Sequence, residues 1–205
     1  MRSGTALVAA AAVYFTAEFI AAAAWTNPPY SYTYHFISNL GVHGPATAFG
    51  QYMYSPLAWV MNTGFILFGL AALTGVVLLE GLSRGRRVAT LATAVLLAAG
   101  SVVVALFPGS GDTGTADYHG LGAVVAFVSG NVLVILLGSS HALLGFSRRL
   151  GRALVALGIA GLASIVAYRA ATSAGFLIGL AERGIIYPFL IGFILVGTAL
   201  RKRGS

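Results

Sequence analysis

Six long apolar runs, separated by short polar stretches, limit what this chain can fold into. Each run is about 20 residues or longer, the length of a helix that crosses a hydrocarbon core about 30 Å thick. Ten of the twelve basic residues lie in clusters at alternate ends of these runs. Because Lys and Arg in short loops mark the cytoplasmic side, this pattern predicts six spans with both termini in the cytoplasm. The clusters contain Arg2; Arg84, Arg86 and Arg87; Arg148, Arg149 and Arg152; and Arg201, Lys202 and Arg203.

The predicted fold is an all-α integral membrane protein, a six-transmembrane-helix bundle that forms one domain over residues 1–205. Helices are expected because lipid offers no hydrogen-bond partners to an exposed backbone. The apolar runs also lack the alternation of a membrane β-barrel strand. The predicted spans are residues 5–24, 56–79, 88–107, 119–144, 153–171 and 182–200, and residues 25–55 form an extracytoplasmic segment.

The composition agrees with a membrane protein and excludes several classes of function. With 58% hydrophobic and 8% charged residues, the chain is unlike an ordinary soluble globular domain. A net charge of +7 would suggest nucleic acid in a soluble protein, but here the basic residues are topological signals. We therefore expect the protein to interact with the lipid bilayer, and we do not expect it to bind nucleic acid. The absence of cysteine excludes disulfides and thiolate metal sites, so a metal would need His, Asp and Glu.

The first run has a second interpretation. Arg2, the apolar stretch from Ala6 to Phe15 and the small residues Ala21 to Ala24 also have the pattern of a signal peptide. The apolar stretch continues to Trp25, however, which is long enough to span the membrane. We predict a first span, and cleavage would leave five spans with the same orientation.

Polar residues near the outer ends of the spans predict a ligand-binding site. Spans two, four and six begin on this side, so three helix N-termini with unpaired N–H groups favour an anion there. Arg183 starts span six, and Tyr187 follows on the same helical face. Glu18 lies six residues before Ala24, about 9 Å below the interface at 1.5 Å per residue. A carboxyl group at that depth needs a partner, and Arg183 or a histidine could supply it.

A second set of outer polar residues suggests chemistry. His119, Asp117 and Glu182 are the catalytic candidates. His119, Asp112, Asp117 and His35 are candidate metal ligands, with zinc as the expected ion. Each also has a structural interpretation: Asp117 as a helix N-cap, Asp112 as a turn residue, and His119 as a hydrogen-bonded structural residue. The sequence contains no strong catalytic motif that would decide between these interpretations.

Short runs in the chain resemble a known family. They are Ser38-Asn39-Leu40-Gly41, Phe107-Pro108, His119-Gly120, Glu182-Arg183 and Tyr187-Pro188. In this order they resemble the prokaryotic membrane-protein family named domain of unknown function 998. The resemblance implies six spans in a prokaryotic plasma membrane and no particular activity. It adds Ser38 and Asn39 to the ligand-binding candidates Glu18, Arg183 and Tyr187.

Three functions remain open from the sequence. The first is an outward-facing polar site that binds an anionic small molecule or lipid headgroup, in a binding or transport role. The second is a metal-dependent intramembrane hydrolase or transferase acting on a lipid. The third is a structural or regulatory membrane subunit with a membrane-protein partner or a second copy. Gly175 and Gly179 have the spacing of a helix-dimerisation motif, although an internal contact is the favoured explanation of that spacing.

Overall fold

The computed structural model describes residues 2–48, 50–111 and 116–203. Over these residues it contains six long helices, and all six are long and apolar enough to cross a membrane. The predicted all-α six-helix architecture is therefore confirmed, whereas the cytoplasmic location of the termini stays a prediction. The helices are α1 (Arg2–Ala24), α2 (Ala58–Val77), α3 (Arg84–Leu106), α4 (Ala116–Ser139), α5 (Arg148–Ala174) and α6 (Ile178–Arg203).

Several helices extend past the apolar runs that predicted them. α3 begins at Arg84 and α5 at Arg148, so basic residues that were predicted to lie in loops form first helical turns. Arginine is a strong helix former, and Ser147 caps α5 by accepting a hydrogen bond from the Leu150 N–H (3.2 Å). The polar boundaries of the sequence thus do not coincide with the ends of these helices.

The helices form a ring in chain order. Each helix packs against the next, and α6 closes the ring by packing against α1 as well as α5. α6 also contacts α4. α6 is therefore the element that can carry side chains to both α1 and α4, where most of the predicted site residues lie.

The segment between α1 and α2 closes the end of the bundle that we call the outer end. It contains a short 3-10 helix (Ser38–Gly41) and an antiparallel hairpin of β1 (Ala46–Ala48) and β2 (Gln51–Met53). Ile37, Leu40 and Met53 are fully buried. The segment is thus a packed cap, and several of its aromatic side chains are exposed on its surface. Tyr32, Tyr34, Tyr52 and Tyr54 are exposed, and Phe49 lies outside the described residues.

Small residues allow the helices and the cap to approach closely. A Cβ atom added to Gly138 of α4 would lie 2.7 Å from the Gly151 carbonyl oxygen of α5. A Cβ atom on Gly179 would collide with the carbonyl oxygens of Tyr32 and His35. Gly179 is one of the two glycines that have the spacing of a dimerisation motif. In the structure it packs against the cap within the same chain, which is the internal contact that the sequence favoured as the explanation.

Candidate functional site

A buried ion pair connects α1 and α6 near the outer end. Arg183 Nη2 lies 2.8 Å and Nε 3.1 Å from the same carboxylate oxygen, Oε1, of Glu18. The Glu18 side chain is fully buried and that of Arg183 is 5% exposed. The predicted partnership of these two residues is therefore present. Within the described part of the chain it is the one ion pair between side chains.

The remaining donors of Arg183 bind the cap and the first turn of α6. Its Nη2 donates to the Tyr30 hydroxyl (2.7 Å), and its Nη1 donates to the carbonyl oxygens of Tyr32 (2.7 Å) and Gly179 (3.0 Å). The guanidinium carbon also lies 4.8 Å from the centre of the Tyr32 ring, within cation–π range. With the two bonds to Glu18, all five N–H groups of Arg183 have protein acceptors. A ligand could bind Arg183 only by displacing one of them.

Glu18 has one satisfied and one unsatisfied oxygen. Oε1 accepts a third hydrogen bond, from the Tyr187 hydroxyl (3.0 Å). Oε2 is buried and has no hydrogen-bond partner among the described residues. An unpaired buried oxygen costs free energy, so the cluster of Glu18, Arg183 and Tyr187 is held by strong bonds but is incomplete. We call these three residues the ion-pair cluster.

His35 belongs to the aromatic surroundings of this cluster. Its ring stacks between Trp25 (5.0 Å between centroids) and Tyr30 (5.3 Å), and its Nδ1 accepts a hydrogen bond from the Ser31 N–H (2.9 Å). Burial, together with the nearby positive charge of Arg183, lowers the pKa of His35 below its ordinary value. The ring is thus held neutral, and its Nδ1 lone pair is already occupied.

Glu182, the neighbour of Arg183 in sequence, faces another part of the bundle. Successive residues of an α-helix point about 100° apart, so adjacent charged side chains can enter different sites. Glu182 is 4% exposed, and its Oε2 accepts a hydrogen bond from the Ile37 N–H of the cap. Its carboxyl group lies in the wall of a cavity that Ser38 and His119 also line.

This cavity is a cleft of about 590 Å³ between the outer halves of α4 and α5. In the inner half the two helices are in close contact, since a Cβ atom on Gly158 would lie 2.6 Å from the Asn131 carbonyl oxygen. Beyond Gly161, α5 has no fully buried residue, and its side chains line the cleft instead. The helices therefore diverge toward the outer end. The lining comprises Phe36, Ser38, Asn39, Gly109, Ala116, His119, Gly120, Ala123, Val124, Phe127, Val128, Ile165, Tyr168, Arg169, Thr172, Ser173 and Glu182.

The cleft is polar at its outer end and apolar at depth. Arg169, Thr172 and Ser173 lie in the last two turns of α5, at the outer end of the cleft. Val124 and Val128 lie deeper along α4, line the cleft, and are 59% and 41% exposed. The deep part of the cleft therefore presents accessible apolar side chains.

The structure divides the predicted site residues into two groups. Ser38, Asn39, His119 and Glu182 line the cleft. Glu18, Arg183 and Tyr187 form the ion-pair cluster on the other side of α6. Asp117 is exposed and does not line the cleft, and Asp112 lies outside the described residues.

The candidate metal ligands do not form a donor set where the structure describes them. Over residues 2–48, 50–111 and 116–203, no three His, Asp or Glu side chains are grouped to hold a metal ion. His119 lines the cleft, whereas His35 is stacked in the aromatic group beside Arg183. Zinc binding stays a prediction.

Sequence reasoning missed Arg169 as a site residue. It is exposed, lines the cleft, and has no acidic partner within the described ranges. A signal was present, because Arg169 and Arg183 are the two basic residues outside the clusters that set the topology. Phe127 and Tyr168, whose rings lie 6.1 Å apart in the cleft wall, carried no such signal because aromatic residues are common in spans.

Comparison with known proteins identifies the family. No curated protein and no solved structure matches the chain. A family model described as "Protein of unknown function (DUF998)" matches residues 8–199, nearly the whole chain. The match covers α2 to α5 completely and most of α1 and α6, so it includes both groups of site residues. The protein therefore belongs to the DUF998 family.

Proposed function

We propose that this protein binds an anionic lipid of the outer leaflet in the cleft between α4 and α5. The observation that carries the proposal is the change in polarity along the cleft, from the charged Arg169 at its outer end to the apolar Val124 and Val128 at depth. The polarity of an anionic lipid changes in the same direction, because its charged headgroup lies at the membrane surface and its apolar chains lie below it.

The size and walls of the cleft support a lipid rather than a small soluble anion. A volume of about 590 Å³ is within the range of about 300–1,000 Å³ that ligand pockets occupy. Phe127, Val128 and Ile165 give its deep part an apolar wall. A small hydrophilic anion would leave that wall in contact with water, whereas an acyl chain would cover it.

Arg169 supplies the charge that favours an anionic headgroup. The residue lies five positions before the end of α5, so its long side chain can extend toward the membrane surface. Thr172 and Ser173 lie beside it, and each hydroxyl donates to a carbonyl of its own helix. Their oxygens are thus left as acceptors, and the guanidinium group is the donor for a phosphate.

The experiment measures lipid retention by the purified full-length protein. Native mass spectrometry of protein extracted from vesicles of equal phosphatidylglycerol and phosphatidylcholine is expected to show one bound phosphatidylglycerol. Val124→Trp fills the cleft and is expected to abolish this adduct. Val95→Trp is the matched control, because Val95 is an exposed valine on α3 (52%, against 59% for Val124) outside the cleft.

Arg169→Gln tests the charge. Since one basic residue near a membrane surface contributes about 1 kcal/mol toward anionic lipid, we expect its preference for phosphatidylglycerol to fall about fivefold. Equal adducts in Val124→Trp and wild type would refute binding in the cleft. Displacement of the lipid by equimolar soluble glycerol phosphate would show that the site selects a free anion.

A further inference from the structure

A second, smaller cavity lies behind the cleft between α4 and α5, deeper in the bundle. It has a volume of about 40 Å³, room for a few water molecules at about 10–15 Å³ each. We call it the inner chamber. Its walls are largely aromatic and aliphatic, with Phe65, Phe68 and Phe189 among them. The chamber and the cleft share five lining residues, which form the partition between them: Ser38, His119, Ala123, Phe127 and Glu182.

His119, one of the partition residues, presents a basic nitrogen on the side of the cleft. Its Nδ1 lies 2.7 Å from the carbonyl oxygen of Phe107. A carbonyl can only accept, so Nδ1 carries the proton and the lone pair is on Nε2. Nε2 is on the side of the ring that faces Gly109, another residue of the cleft wall. The hydrogen bond to the backbone thus fixes the tautomer that a general base requires.

Glu182 places a carboxyl group in the same partition. One oxygen is held by the Ile37 N–H, which leaves the other for a group in the cavity. No basic side chain pairs with it among the residues that the structure describes. A carboxyl group that is 4% exposed without a cation partner is costly, and water in the inner chamber would satisfy its free oxygen.

The partition lies at the depth where a lipid bound in the cleft would have the junction between its headgroup and its acyl chains. His119 lies one turn below the start of α4, and Arg169 lies on the facing helix five residues before its end. The long Arg169 side chain can extend toward the membrane surface, and Val124 and Val128 lie five and nine residues further along α4 than His119. A headgroup at the guanidinium group with chains along these valines would put the junction of headgroup and chains beside His119. In glycerolipids this junction is a carboxylic ester.

We propose that the protein hydrolyses the carboxylic ester of a lipid held in the cleft, with a water molecule on the cleft side of the partition, between His119 and Glu182, as the nucleophile. This inference rests on the proposed lipid binding. His119 Nε2 takes one proton of the water as its oxygen bonds to the ester carbonyl carbon, and Glu182 accepts a hydrogen bond from the other. The tetrahedral intermediate collapses by breaking the bond between the acyl carbon and the alkoxy oxygen. The protonated His119 then gives its proton to the leaving alkoxide, so the products are a fatty acid and a lysolipid alcohol.

The experiment uses the full chain in vesicles of phosphatidylglycerol with a labelled acyl chain, in water enriched in ¹⁸O. Wild type is expected to release fatty acid carrying one ¹⁸O atom. His119→Gln keeps a donor for the Phe107 carbonyl but provides no base, so release is expected to fall about a hundredfold or more. His141→Gln is the matched control, since His141 follows the opposite end of α4 and lines neither cavity.

Two further measurements distinguish a loss of hydrolysis from a loss of lipid binding or folding, and from catalysis by a metal ion. His119→Gln is expected to retain the phosphatidylglycerol adduct and the melting temperature of wild type, which separates chemistry from binding and folding. Release by wild type is expected to continue in excess chelator. A wild type that binds phosphatidylglycerol but releases no more fatty acid than His119→Gln would overturn the hydrolysis and leave lipid binding intact. Loss of release in chelator would also overturn it, because a metal ion would then activate the water.

Discussion

Glu182 and Arg183 are adjacent in sequence but belong to different parts of the molecule. Arg183 faces α1, and all its donors are taken by Glu18, the cap and the Gly179 carbonyl of its own helix. Glu182 faces the cleft, where one of its oxygens is free for a ligand or water. The residue that looked best suited to bind an anion is thus occupied within the protein. The exposed Arg169 is the better candidate for that role.

Removal of one partner of the ion pair should destabilise the protein strongly. Arg183→Ala leaves the buried carboxylate of Glu18 without its cation, a change that costs about 3–5 kcal/mol in buried pairs. For a chain of this length we expect the melting temperature in detergent to fall by about 10 °C. Tyr187→Phe is the matched control, because it removes one hydrogen bond to the same oxygen but leaves the cation in place, and it should cost about 1.5–3 kcal/mol.

The double variant Glu18→Gln/Arg183→Gln tests whether the charges are coupled. Its loss of stability should be smaller than the sum for the two single variants, because neither buried charge remains unpaired. Additive losses, measured by thermal unfolding in the same detergent, would contradict a coupled pair.

At the scale of elements, the two halves of α5 have different environments. Its inner half has the buried residues Gly151, Leu154, Gly158 and Gly161, which pack against the neighbouring helices. Its outer half borders the cleft and has no fully buried residue. The inner half anchors the helix in the bundle, and the outer half provides one wall of the cleft.

The cap is held to the start of α6 by a contact that only glycine permits. Gly179→Ala would drive a Cβ atom into the carbonyl oxygens of Tyr32 and His35. We expect the cap to separate from α6, so that chymotrypsin cleaves within residues 30–36 several times faster than in wild type. Gly85→Ala is the matched control, because Gly85 is a helical glycine with open space around it and alanine favours the helix. Equal cleavage of the two variants would show that the contact does not hold the cap.

The sequence predicted the elements well and the site in part. Charge clusters and apolar length are properties of local sequence, so six helices could be predicted without knowing their neighbours. The pairing of Glu18 with Arg183 was also predictable, because an unpaired carboxylate is costly in the membrane. The cleft was not predictable from the sequence, because it depends on the divergence of α4 and α5 beyond Gly161. That divergence results from packing between helices, which one sequence does not encode in any local pattern.

For the whole molecule, the charge pattern predicts an orientation that can be measured. The chain has no cysteine, so single cysteines can report which side of the membrane each end of the bundle faces. Thr33→Cys lies in the cap, and Leu143→Cys lies in the exposed turn between α4 and α5. A membrane-impermeant maleimide on intact cells should label Thr33→Cys alone, and both variants after permeabilisation. Labelling of Leu143→Cys alone on intact cells would reverse the orientation and place the cleft on the cytoplasmic side.

The ion pair joins the first helix to the last, and this has a consequence for biosynthesis. Glu18 and Arg183 are 165 positions apart, so the ribosome must synthesise almost the entire chain before the carboxylate can meet its partner. At translation rates of about 5–20 residues per second, that delay is about 8–33 seconds. During this time α1 carries a carboxyl group whose cation partner has not yet been synthesised. A chain that stops before α6 would therefore leave this carboxyl group unmatched within the membrane.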